Sequence, residues 1–240
     1  MLSLVVKNIF PKRLLTDLLD LLLPRICCCC RRALRRWEEE ICNYCLIEIP
    51  VTHFEDDPEN LVAQVFWGRV YLEQAMSWFF FHKNSRYQKA IHQLKYQDRP
   101  GIGKTLGKEF GYQLSGSDIF ILPDLLIPVP LYSKKMKKRG YNQSEKIAEG
   151  LSEALGIPLE TEVLIKTEDT SSQTNKSRFD RYLNVVDSFK VENLEVIKNK
   201  HIFLIDDVLT TGATLEACAT KLLEIPGVRV SIGTLAWARD

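Results

Sequence analysis

No run of apolar residues in this 240-residue chain approaches the roughly 20 needed to cross a membrane. The longest candidates, residues 18–23 and 78–81, are far too short, so no membrane span is expected. An excess of either charge sign is missing too. The 32 Lys and Arg against 31 Asp and Glu leave a formal charge of +1, which excludes a strongly polyanionic or polycationic protein but leaves room for local bias. Lys7, Lys12 and Arg13 precede residues 18–23 in the manner of a signal peptide. Asp17 and Asp20 interrupt that run, however, and no small-x-small cleavage site precedes Pro24. Residues 1–23 therefore read as an amphipathic helix with Leu14, Leu15, Leu18 and Leu22 on one face, and a cytoplasmic location is expected. Internal repeats, low-complexity tracts, a Walker loop and a G-x-G-x-x-G fingerprint are all absent. With 45% apolar and 26% charged residues, the length suits one good core plus a small accessory module.

What is present is most informative near the C-terminus. Ile202, Phe203, Leu204 and Ile205 run straight into Asp206 and Asp207, and then into Thr210, Thr211, Gly212, Ala213 and Thr214. A short apolar run closed by a turn signal reads as a buried parallel strand, and residues 215–223 continue with helical spacing. The threonine-rich turn thus falls at a strand-to-helix junction. Backbone N–H groups there lack partners and carry the positive end of the helix dipole, and Gly212 allows close approach, so a sugar phosphate fits. Adjacent carboxylates repel unless a ligand supplies donors or cations, as ribose hydroxyls and a magnesium-bound polyphosphate do. The alternative is that the acids merely end a strand and cap a helix. The whole string resembles the phosphoribosyl diphosphate (PRPP) motif of type I phosphoribosyltransferases.

Six of the seven cysteines fall between Cys27 and Cys45. Cys27 with Cys30, and Cys42 with Cys45, form two pairs, each with a two-residue gap, and 11 residues separate the pairs. Such knuckles suit a four-sulfur zinc site on a short hairpin, in which metal binding would supply most of the folding energy. Two disulfides, or free buried thiols, are the alternatives. Cys28 and Cys29 leave the choice of ligands within the run open, and Cys218 reads as a small core residue.

Between these landmarks, residues 63–81 look like a pair of aromatic strands. Their rings, Trp67, Tyr71, Trp78, Phe79, Phe80 and Phe81, suit a base-stacking surface, although aromatic strands are more often core. Helices are expected near 85–94, 103–114 and 144–155, and strands near 125–129, 162–165, 202–205 and 228–235. That alternation argues for an α/β fold whose parallel sheet, flanked by helices, binds ligand beyond the carboxyl ends of its strands. Lys134, Lys135, Lys137, Lys138 and Arg139 form a basic loop at the same edge, either counter-charge for pyrophosphate or a nucleic-acid backbone, or simply a solvated surface. Residues 166–178 have the composition of a mobile loop over the ligand. The expected organisation is an N-terminal helix (1–23), a zinc-ribbon-like module (24–50), an aromatic hairpin or bridge (51–83) and a phosphoribosyltransferase-like domain (84–240).

Taken together, the paired cysteines, Lys95-Tyr96, Ile127-Pro128-Val129-Pro130, Arg139-Gly140-Tyr141-Asn142-Gln143 and the stretch from Asp206 to Thr214 resemble the ComF family of competence-associated, phosphoribosyltransferase-like proteins. Gln173, Arg181, Asn184 and Phe189 resemble that family's spacing as well. The resemblance implies catalytic acids Asp206 and Asp207 on the ribose hydroxyls, with Thr210, Thr211, Gly212, Ala213 and Thr214 around the 5-phosphate. Arg139, Lys138 and Gly140 would lie on the pyrophosphate side, with magnesium bridging ribose and diphosphate. Pyrophosphate would leave the anomeric carbon through an oxocarbenium-like state, needing positioning and charge rather than a side-chain nucleophile. Two departures stand out: Thr210 occupies a position where purine-salvage enzymes carry Asp, and Lys166 one where relatives often carry Arg. Kinship also implies a role with single-stranded DNA and the competence machinery, with Arg31, Arg32, Arg35 and Arg36 on a short helix as backbone contacts. The two readings are thus a phosphoribosyltransferase of unidentified acceptor and a DNA-binding factor that keeps the fold as a ligand sensor.

Overall fold

Residues 202–205 are apolar without interruption because both faces of their strand are covered, as is usual in parallel sheets. The computed structural model describes residues 23–167 and 186–238. Along them α1 (Asn43–Ile47), a 3-10 turn (Phe54–Asp56) and α2 (Leu61–Phe66) precede β1 (Ala75–Phe81). Next come α3 (Arg86–Tyr96), α4 (Pro100–Ser115), β2 (Leu125–Pro128), α5 (Ser133–Arg139) and α6 (Gln143–Leu155). After β3 (Leu164–Lys166), β4 (Phe189–Val191) and α7 (Leu194–Ile197), the chain closes with β5 (His201–Leu209), α8 (Ala213–Leu223) and β6 (Arg229–Ala238).

Four strands form one parallel sheet in the order β1-β6-β5-β2, with Ile202 opposite Val230 on one side and Leu125 on the other. On one face Ile202 and Leu204 join a core with Leu215, Ala219 and Leu222 of α8 and Phe66 of α2. On the other, Phe203 and Ile205 join Leu106 and Phe110 of α4 and Ile147 and Leu151 of α6. Burying each such large apolar side chain is worth roughly 1.5–3 kcal/mol. Ser85 caps α3 by accepting from the Gln88 N–H, and Asn142 caps α6 by accepting from the Ser144 N–H. The cysteine segment shares the second core: Cys27, Cys42 and Cys45 are buried against the residues of α3.

Several expectations are corrected. Residues 51–83 are not a hairpin. Asn60 caps α2 by accepting from the N–H groups of Val62 and Ala63, so only residues 75–81 are a strand, and they extend the main sheet beside β6. Trp78 and Phe79 are core, while Trp67 and Tyr71 are exposed. The basic run 134–139 is a helix rather than a loop, because Lys, Met and Arg are good helix formers, and Gly140 ends it in left-handed backbone at φ +80°. The strand expected at 162–165 is β3 at Leu164–Lys166, and it pairs antiparallel with β4 in a separate two-stranded sheet. Arg31, Arg32, Arg35 and Arg36 do not lie on a helix; Arg31 has φ +63° beside an Ile26–Ala33 bridge. The amphipathic helix expected at 1–23 lies outside the described residues but for Leu23. Most of the polar segment 166–178, with Gln173, and also Arg181 and Asn184, lie outside them as well.

Helices α4 and α6 touch through glycine. A Cβ on Gly107 would stand 2.0 Å from the Ile147 carbonyl oxygen, and one on Gly150 2.1 Å from that of Lys104. Gly107→Ala is therefore expected to push α6 outward and lower stability by about 1–3 kcal/mol in denaturant unfolding. An unchanged midpoint would show that the contact is not tight.

Candidate functional site

Where β5 hands over to α8, Thr210 and Thr211 are exposed and Gly212 takes φ +77°. Only glycine suits this corner, since a Cβ there would be strained and would press on Phe66 at 3.0 Å. The N-cap of α8, Gly212, offers no side-chain bond, and the Thr211 hydroxyl accepts a long bond from the Ala213 N–H at 3.5 Å. The loop and the first turn of α8 border a cavity of about 50 Å³ walled by Asp206 and residues 208–215. Arg69 braces the loop from outside, donating to the Thr211 carbonyl at 3.0 Å and pairing with the buried Glu216 carboxylate.

The two acids are the sixth and seventh residues of the nine-residue β5 rather than lying beyond its end. Each has its own partner from another helix. The Ser144 hydroxyl, in the first turn of α6, donates to Asp206 Oδ1 at 2.8 Å. Lys95 Nζ, in the last turn of α3, lies 3.0 Å from Oδ1 of the buried Asp207. Burial first, and the Asp207 charge second, push the Asp206 carboxyl up to about 6 despite the Ser144 bond.

Lys95 also opens onto a cavity of about 250 Å³, whose walls include Tyr96, Asp98, Lys135, Lys138 and Arg139. Arg139 stacks over the Tyr96 ring at 5.1 Å and donates to Gln143 Oε1 at 2.6 Å. Of the residues expected on the pyrophosphate side, Lys138 and Arg139 line this cavity, and Gly140 is the C-cap of α5. Lys95 belongs to the Lys95-Tyr96 pair that contributes to the family resemblance, but the sequence assigns it no role, and no local pattern marks Ser144 or Arg69 as site residues. Each of the three reaches the site from an element far away in the chain.

Away from the sheet edge, the sulfurs of Cys27, Cys30, Cys42 and Cys45 all lie within 4.8 Å of one another. A tetrahedral ion with sulfur bonds of about 2.3 Å needs sulfurs about 3.8 Å apart, so the donor set fits a metal. The Cys42 N–H points at Cys27 Sγ at 3.4 Å. Burial raises the Cys27 thiol, but hydrogen bonds from the backbone of Cys30, Cys42 and Cys29 outweigh it and bring it down to about 7. Cys28 and Cys29 pair with each other, their sulfurs 3.8 Å apart. Glu38 braces the segment by accepting from the N–H groups of Arg35 and Asn43.

The family described as Phosphoribosyl transferase domain matches residues 141–239, which hold α6, β5, the threonine loop and β6. Competence protein F of Haemophilus influenzae is 31% identical over 155 residues, covering 62% of this chain and 66% of that protein. Competence protein ComFC of Bacillus subtilis is 28% identical over 160 residues, covering 65% of this chain and 61% of its own. The chain belongs to the ComF family. DNA utilization protein YhgH of Escherichia coli K12 is 30% identical over 148 residues, 60% of this chain and 64% of YhgH, so less than two thirds of that relative is spanned. Among solved structures, a Bacillus subtilis glutamine PRPP amidotransferase complexed with ADP and GMP is 24% identical with a TM-score of 0.39, covering 58% of this chain and 30% of the enzyme. The parallel sheet with helices on both faces is the type I phosphoribosyltransferase fold. Among the described residues of this ComF-family chain, no helix is long and apolar enough to cross a membrane.

The raised Asp206 carboxyl has a thermodynamic consequence. Between about pH 4 and 6 the folded chain holds a proton that the unfolded chain has lost, so stability falls as pH rises through that window. Asp206→Asn should therefore stabilise the ligand-free protein by about 1–3 kcal/mol at pH 7.5 and by almost nothing at pH 4. Thermal unfolding at the two pH values reads this directly, and equal shifts at both would contradict the assignment.

Proposed function

We propose that this protein binds 5-phosphoribosyl diphosphate and acts as a phosphoribosyltransferase in the handling of DNA during uptake. The observation that carries the reading is the cavity at the start of α8, walled by the threonine loop, the first residues of the helix and Asp206, where a helix amino end favours an anion. A 5-phosphate suits that loop, made by Thr210, Thr211, Gly212, Ala213 and Thr214. Asp206 and Asp207 accept from ribose hydroxyls, and Lys138 and Arg139 offer counter-charge to the diphosphate. Magnesium, held with the ligand, would neutralise part of the diphosphate charge as it leaves. The chain itself supplies orientation and fixed charge around the anomeric carbon, which is what an oxocarbenium-like displacement requires. Support for DNA uptake comes from the names of the relatives, competence protein F, ComFC and DNA utilization protein YhgH. The acceptor is not specified by the loop, since Thr210 offers no carboxylate to a base.

For the cysteine segment we propose structural zinc held by Cys27, Cys30, Cys42 and Cys45. Metal analysis should find about one zinc per chain, lost together with local structure when Cys42 and Cys45 become Ser. A metal-free wild type that folds normally would refute it. For the main site, calorimetry with PRPP and magnesium should show binding in the wild type and none after joint Asp206→Asn and Asp207→Asn. The same double variant should fail to restore transformation to a host lacking the wild-type protein. Unchanged binding in the double variant would remove the basis of the proposal.

A further inference from the structure

Lys95 stands at the boundary between two parts of the site. Its ammonium lies 3.0 Å from Oδ1 of Asp207, which is only 8% exposed, and its side chain also lines the cavity with Lys135, Lys138 and Arg139. A carboxylate this buried is costly without a cation or donors, so in the ligand-free protein Asp207 depends on Lys95. That pairing cannot persist unchanged when ribose hydroxyls arrive, because they bring the donors that Asp207 needs and compete for the same oxygen. The diphosphate on the same ligand then presents negative charge to the cavity that Lys95 already borders. Its four-carbon stem permits the short swing, and a point-like ammonium can satisfy either partner in turn.

We propose that Lys95 is a ligand-binding residue that changes partners on binding, guarding Asp207 in the free protein and moving to the diphosphate when PRPP enters. This rests on the PRPP reading above and extends it. Lys95 would thereby make the site select a diphosphate over a ribose that bears only its 5-phosphate. Losing the Asp207 pair would be compensated only by a ligand able to recapture the ammonium. Asp98, the acid on the same cavity wall, opposes any anion there, which makes the Lys95 contribution larger.

The test compares PRPP, ribose 5-phosphate and inorganic pyrophosphate by calorimetry in wild type, Lys95→Ala and Lys95→Gln. Lys95→Gln keeps a donor for Asp207 and guards against a folding defect, which thermal unfolding monitors. In both variants, affinity for PRPP should drop about tenfold or more, that for pyrophosphate, which brings no hydroxyls to release Lys95 from Asp207, should drop less, and that for ribose 5-phosphate should stay within about twofold or rise. Parallel losses for all three ligands would mean that Lys95 only holds the site together, and undiminished PRPP affinity would mean that it does not meet the diphosphate. Either result overturns the exchange while leaving PRPP binding by the wild type intact. A wild type that binds none of the three overturns the PRPP reading itself, and the exchange with it.

Discussion

Two neighbouring carboxylates near the end of a strand buried on both faces impose the constraint around which this site is built. In water such a pair costs little, but next to a packed core each charge is poorly solvated and repelled by the other. The surroundings answer with one partner apiece. Ser144 reaches Asp206 from the first turn of α6, and Lys95 reaches Asp207 from the last turn of α3. The start of α8 adds the positive end of a helix dipole within the same few residues. The Asp206 carboxyl nevertheless remains raised, by burial first and by the Asp207 charge second.

The fold makes that arrangement possible by geometry alone. In a parallel sheet every strand ends on the same edge, and the helices that follow β2 and β5 begin there. Helices α6 and α8 thus aim their amino ends at one place from opposite faces of the sheet. The glycines of α4 and α6 draw α6 in close enough for Ser144 to touch β5. Arg69, after α2, ties the loop to Glu216 and fixes its outer rim. A site whose parts stand on rigid elements needs little reordering to take a ligand.

Much of this was legible because it is local. The apolar run, acids, turn and helix that make β5 and α8 follow one another directly, and the alternation of strands and helices implies the parallel sheet. The pairs of cysteines likewise announce themselves by spacing. The misreadings have physical causes. Aromatic and β-branched residues around Gly68 look alike whether they build a hairpin or a short capped helix followed by a strand of the main sheet, and only pairing with β6 distinguishes the two. A run of lysines suits a solvated loop and a helix equally, and α5 is the latter. β3 has the composition of any short strand, while its antiparallel partner β4 lies beyond a long polar segment. Ser144 and Arg69 are silent in the sequence, and Lys95 shows only as part of the Lys95-Tyr96 pair without a role, for a different reason: their significance lies in long-range contacts, which periodicity does not encode.

The distribution of charge around the acids argues for the shape of the ligand. Neutral amides line the loop of α8, carboxylates stand beside it, and cations crowd the cavity beyond Lys95. A simple phosphate would satisfy the loop but leave both acids without donors. A nucleic-acid backbone would satisfy the cations, yet its regularly spaced phosphates would be repelled where the acids lie. A ligand matching all three zones carries an anion at one end, hydroxyls in the middle and a larger anion at the other. The phosphoribosyl diphosphate proposed above has its groups in that order. Under that proposal the cationic cavity and the acid pair would work as one site, joined at Lys95, which pairs with Asp207 and lines the cavity.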